Sequence, residues 1–296
     1  MNNNEVVVMK NTKDKIIISI AIVMFIFGCT LMGISLYNKL GNNDDQNTEE
    51  SNNSNNKSKE TDADKITDFI KNNMISNWTY TRDKLTVNED NNVEILFNAV
   101  DDWTTCGYNA NKSVVKITGN GDDILNKIPS ITFVCKDSNS NVVSKASYTN
   151  ISSINKDNVE SNAVFYDSNN NQINSSVESG YQSTCKNYSY KEIFRNPDDY
   201  LYKKIKITGE VIQVMEEKEN GVDYWILRVN MTKDSWGYYD DTVMVLVDKS
   251  IVKGRIIEDD IFTFYGQILE PTTYETVLGA SQTVPTILAY YAYLVK

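Results

Sequence analysis

The chain has 296 residues, a formal net charge of −11 and no histidine. That length holds more than one domain, since a domain takes about 100 to 150 residues. Without histidine the usual base near neutral pH, the base of Ser-His and Cys-His nucleophiles and the commonest zinc ligand are all missing. The acidic balance also argues against nucleic acid as a partner, because Lys and Arg carry affinity for a phosphate backbone.

Residues 16–37 read IIISIAIVMFIFGCTLMGISLY, without a charge. As a helix this run covers about 33 Å, enough for the hydrocarbon core of a bilayer. Lys10, Lys13 and Lys15 precede it, and Asp44, Asp45, Glu49 and Glu50 follow. The positive-inside rule therefore places tail 1–15 in the cytoplasm and everything beyond the span outside the cell membrane. A second reading treats the run as a signal peptide with a lipobox-like Ile26-Phe27-Gly28-Cys29, cleaved and acylated at Cys29. Bulky Phe27 and the apolar stretch 30–37 weigh towards the span. Residues 38–61 are polar and lack side chains that would offset ordering, which marks a disordered linker.

An α+β domain is expected over residues 62–180. Ile66, Phe69, Ile70 and Met74 fall at helical spacing behind a cap at Thr61 or Asp62. A hairpin follows, with strands 78–87 and 93–99 around the turn 88–92, and a second with strands 131–135 and 142–148 around 137–141. Between them, 108–128 suits a strand or a helix. Residues 158–180 read as a polar end to the domain. Of four cysteines, Cys106 and Cys135 lie in this domain and are able to pair in an oxidising compartment; buried thiols are the alternative.

The remainder, 188–296, reads as all-β. Strands are expected at 203–215, 223–231, 242–247, 260–269 and 284–295, led by a short helix at 190–194, with Gly209 where the first strand bends. Five such strands suggest a closed Greek-key barrel.

Three stretches carry a resemblance: "YKEIFRNPDDYLYKKIKITGEVIQV", "RIIEDDIFTFYGQ" and "TVPTILAYYAYL". They resemble the extracytoplasmic OB-fold domain, related in shape to anticodon-binding barrels, of membrane-anchored proteins and lipoproteins of Gram-positive bacteria. The resemblance covers about 190–296. It implies the barrel fold and a cell-envelope setting, and brings no catalytic residue with it.

The fold class expected is thus multidomain: an N-terminal transmembrane helix, an α+β domain and an all-β OB-fold barrel. The expected function is a non-enzymatic, membrane-anchored extracellular binding or scaffold protein of the envelope, acting through protein–protein contacts and needing no cofactor. Trp236, Tyr238, Tyr239 and Tyr274 are the candidate ligand-binding residues, able to stack on sugars, bases or a partner's side chains. Recognition of wall polysaccharide, hydrolysis by a carboxylate pair such as Asp101-Asp102, Asp240-Asp241 or Glu258-Asp259, and nucleic-acid binding are the alternatives. Asp167, Asn169, Asn171 and Glu178 match part of a calcium-loop spacing, but Gln172 stands where the loop takes glycine, and Asx-rich turns explain both this run and 137–141. A dinucleotide fingerprint at 113–121 fails for want of its third glycine.

Overall fold

The computed structural model describes residues 60–74, 81–98, 100–119, 121–219, 222–275 and 279–295. The expected span 16–37, Cys29 and all but the last two residues of the expected linker lie outside these. Among the described residues no helix is long and apolar enough to cross a membrane. The chain divides into two compact units between Ser183 and Thr184.

In the first unit, helix α1 (Asp62–Asn73) begins at a reciprocal cap: the Thr61 hydroxyl accepts from the Asp64 amide, and the Asp64 carboxylate accepts from the Thr61 amide. Ile66 and Ile70, four apart on one face, are its buried residues. Strands β1 (Thr81–Val87) and β2 (Val93–Asn98) form the first hairpin, and β3 (Ser130–Lys136) with β4 (Val142–Thr149) the second. The ambiguous stretch resolves as helix α2 (Trp103–Thr118), started by the Asp102 carboxylate, which accepts from the amides of Thr104 and Thr105. Because α2 crosses over between them, β2 and β3 pair in parallel, and the sheet is mixed.

The polar end expected at 158–180 is corrected. Strands β5 (Ala163–Asp167) and β6 (Gln172–Ile173) extend the sheet, and helix α3 (Val177–Thr184) follows. Helix α3 packs on α2 at two glycines. A Cβ on Gly107 would stand 2.7 Å from Val177 Cγ2, and one on Gly180 2.6 Å from the Trp103 ring. Under α2 the sheet buries Ile95, Phe97, Phe133, Ala146 and Tyr148. Cys106 on α2 and Cys135 on β3 form a disulfide between helix and sheet, Cα atoms 6.0 Å apart. Tyr148 donates its hydroxyl to Asn111 Oδ1 (2.7 Å), and complete burial pushes that hydroxyl's pKa well up.

The second unit is a closed five-stranded barrel. Its strands are β7 (Lys204–Glu219), β8 (Val222–Lys233), β9 (Tyr239–Asp248), β10 (Ile261–Glu275) and β11 (Ser281–Leu294). They run in the order β10-β11-β9-β8-β7, with β7 closing on β10. All neighbours are antiparallel except β9 and β11. Alternate residues point inward: Ile205, Ile207 and Val211; Trp225, Leu227 and Val229; Val243, Val245 and Val247; Phe262 and Phe264; Ile287 and Ala289. Gly209 sits where β7 comes closest to β8, since a Cβ there would stand 2.5 Å from the Asn230 carbonyl oxygen. Helix α4 (Tyr190–Arg195), started by a Ser189–Glu192 capping box, and helix α5 (Pro197–Tyr200) lead in.

One local device builds four of the hairpins, three in the first unit and one in the barrel. A first-position Asn or Asp (Asn88, Asp137, Asp167, Asp234) accepts through Oδ1 from the amides of the third and fifth residues, at 2.8–3.0 Å. The fourth residue, Asn91, Ser140, Asn170 or Gly237, has positive φ. This is the three-residue hairpin loop ending in a left-handed residue. Both carboxylate oxygens of Asp137 and of Asp167 serve the turn rather than a cation, Oδ2 accepting from the side-chain amides of Asn141 and Asn171.

These bonds favour the ionised carboxylate. Asp137 and Asp167 are held below the ordinary value of 3.8, first by the Asn141 and Asn171 side chains and then by backbone amides. A carboxyl whose folded pKa is lowered adds stability that is whole above its unfolded value and is lost as pH falls through the folded one. The urea midpoint of the first unit should therefore drop as pH falls below 3.8. The doubly substituted D137N/D167N chain, which keeps the Oδ1 acceptors, should show a shallower drop. An identical pH profile for the two proteins would refute the assignment.

Candidate nucleic-acid or protein interface

The β8–β9 turn brings three of the four candidate residues together. Trp236 and Tyr238 are the most exposed large hydrophobic side chains of the described residues, at 86% and 76%, and stand on the turn held by Asp234. The Asp234 amide donates to the Tyr238 carbonyl (2.8 Å), and the Gly237 amide donates to the Asp234 carbonyl (3.2 Å). Both aromatic positions are thereby fixed through their backbones before any ligand arrives. Tyr239 opens β9, with the Lys233 ammonium 5.2 Å from its ring centroid.

Tyr274 is placed elsewhere. It is 4% exposed, donates its hydroxyl to Gln282 Oε1 (2.8 Å) and covers the Arg228 guanidinium with its ring (5.4 Å). Burial raises its hydroxyl pKa and Arg228 opposes the rise. Tyr274 is therefore a packing residue of the β10–β11 hairpin. Trp225 fills the barrel core.

Sequence reasoning passed over two further aromatic residues of the barrel unit. Tyr190 on α4 stacks on Phe194 with centroids 5.3 Å apart, and Phe194 is 46% exposed. The Tyr190 hydroxyl is pushed up by burial first and then by the negative charges of Asp241 and Asp240. Alternating apolar spacing on the six-residue helix α4 carries no signal for an exposed face, so only the fold reveals the pair.

Of the other acidic candidates, Asp102 is committed to capping α2, and Asp259 lies in the turn before β10 with φ 72°. The Gly119–Gly121 region ends helix α2 and follows no strand, which removes the dinucleotide fingerprint.

The strand order, the parallel β9–β11 pair and the closure of β7 on β10 define an OB-type barrel. The similar solved structures share that barrel. They are the mitochondrial single-stranded DNA-binding protein Rim1 from S. cerevisiae (10% identity, 32% of this chain and 96% of that one, TM-score 0.24), the N-terminal domain of PriB from Thermoanaerobacter tencongensis (11%, 31% and 96%, 0.25) and a small single-stranded DNA-binding protein from Streptomyces coelicolor (16%, 31% and 94%, 0.25). No family model matches the chain, and no curated protein does. The structural likenesses correct the partner reading made from charge alone. Two of these neighbours are named as single-stranded DNA-binding proteins.

Proposed function

We propose that this chain is a non-enzymatic binding protein, held at a membrane by residues 16–37 with both described units outside, whose barrel engages a protein partner through the β8–β9 tip. One comparison within the chain carries the reading. The other three turns of the same construction hold Asp90, Asn139 and Asn169 at the third position and Asn92, Asn141 and Asn171 at the fifth. The barrel turn holds Trp236 and Tyr238 at those places. Its fifth position thereby gives up the amide that Asn141 and Asn171 donate to their aspartates. The turn needs no aromatic residue, so these two answer to something outside it. Exposed, backbone-fixed Trp and Tyr are the residue types that dominate protein interfaces. The Cys106–Cys135 disulfide supports an oxidising setting for the first unit.

Photocrosslinking in cells tests it. A photoreactive phenylalanine analogue at position 236 of the full chain should capture a protein, whereas the same group at position 139, the matching place in a polar turn, should not. Equal capture from both positions would refute the reading. Labelled oligothymidylate binding to the full chain and lost in W236A/Y238A would give the tip to nucleic acid instead.

A further inference from the structure

We infer that the β8–β9 tip takes a cationic segment of its partner, a stretch bearing Arg or Lys, seated on Trp236 and Tyr238 with Asp240 and Asp241 as its counter-charges. This inference rests on the protein-binding reading above and adds the chemistry of what is bound.

Asp240 is exposed and Asp241 half-buried, and both follow directly on the tip at the start of β9. Asp241 is held at φ 63°, in the left-handed region, where a residue with a Cβ sits at a cost. Ion pairs among the described residues include Lys127 with Asp62, Lys218 with Asp223, and Lys249 and Arg255 with Glu216. Neither Asp240 nor Asp241 is among them. Lys233, which leads into the turn, lies over the Tyr239 ring.

Four tyrosines of the barrel unit already carry one of the chain's own cations on a face: Tyr200 under Lys203, Tyr265 under Lys206, Tyr239 under Lys233 and Tyr274 under Arg228, at 4.7–5.5 Å. Trp225 lies under Lys249 in the same way, at 5.6 Å. Trp236, the ring type that holds a cation best, stands 86% exposed, four and five residues ahead of Asp240 and Asp241. An aromatic face bordered by uncompensated negative charge selects a guanidinium or ammonium group over a neutral or acidic one.

The test uses the full chain in detergent and three labelled probes: a capped Arg-Ala repeat peptide, a Glu-Ala repeat of equal length, and oligothymidylate. The Arg peptide should bind. Its affinity should fall about tenfold in W236A and about tenfold between roughly 0.05 and 0.5 M salt. In D240N/D241N it should fall by about fivefold, with W236F retaining most of it. Binding of the Glu peptide as tightly as the Arg peptide, or an Arg affinity unchanged in D240N/D241N, would overturn the inference. Oligothymidylate binding without Arg-peptide binding would overturn it as well. The two readings fail separately. If position 236 still crosslinks to a protein in cells and D240N/D241N does not reduce the capture, the tip remains an interface and only its cationic chemistry is wrong.

Discussion

Replacing Cys106 and Cys135 together by serine is expected to lower the stability of the α+β unit by about 3.6 kcal/mol, from the chain entropy regained by freeing a loop whose ends are 29 residues apart. Both cysteines are fully buried, so two hydroxyls placed there without partners would add to the loss. For a unit of this size the melting temperature should fall by roughly 12 °C. Calorimetry of the full chain gives the measurement, because the disulfide joins two residues of one unit and the barrel contains neither. Only the transition of the α+β unit should move. A reductant should move the native chain by a similar amount and leave C106S/C135S where it is. A native chain indifferent to reductant would show that the pair is not bonded, and would remove the support it gives to an extracellular setting.

The disulfide also shows where sequence reasoning reached and where it stopped. Cys106 and Cys135 were placed in one domain with pairing left open against buried thiols, because the pairing depends on α2 crossing the sheet. Helix α2 was the ambiguous stretch. Its Val114, Val115 and Ile117 are β-branched, and its buried positions include the polar Thr104, Thr105, Asn109 and Ser113, so neither propensity nor apolar periodicity marked it. The capping Asp102 was the signal available.

The hairpins were legible for the opposite reason. A turn in which Asp137 binds the amides of residues two and four ahead is decided within five residues. The same pattern at 167–171 was read as a turn, yet the five apolar-rich residues Ala163–Asp167 (AVFYD) were passed over within a stretch read as polar, and their partner Gln172–Ile173 is only two residues long. In the barrel, alternation set five strands near their observed places, and Gly209, expected at a bend, stands where β7 closely approaches β8. What alternation could not separate was Tyr274 from Trp236. Both are aromatic and lie near a strand end. One is buried because β10 sets it opposite Gln282 and against Arg228, while the other is exposed because a turn lifts it away from the sheet.

The closure of the barrel rests on a residue whose importance lies in the space it leaves. At Gly266 strand β10 pairs on both sides, with Ile205 of β7 and Ala289 of β11, and the β10–β11 register shifts there so that Tyr290 is an extra residue on β11. Tyr290 turns into a buried position and donates its hydroxyl to Gln267 Oε1 (3.2 Å). The backbone folds in so tightly that a Cβ on Gly266 would lie 3.0 Å from the Ala289 Cα and well inside contact with the Leu288 carbonyl. Both obstacles are main chain, which cannot swing aside as a side chain does. Gly266→Ala should therefore cost about 3 kcal/mol or more, at the upper end of what overpacking usually costs. Gly107→Ala is the comparison: its obstacles are the Val177 and Phe165 side chains, which have rotamers to use, and about 1 to 2 kcal/mol is expected there. Urea unfolding with unchanged slopes should show the larger fall in midpoint for Gly266→Ala, confined to the barrel transition. The reverse order would mean that the bulge yields more easily than a packed core, and that the register at Tyr290 does not hold the barrel closed.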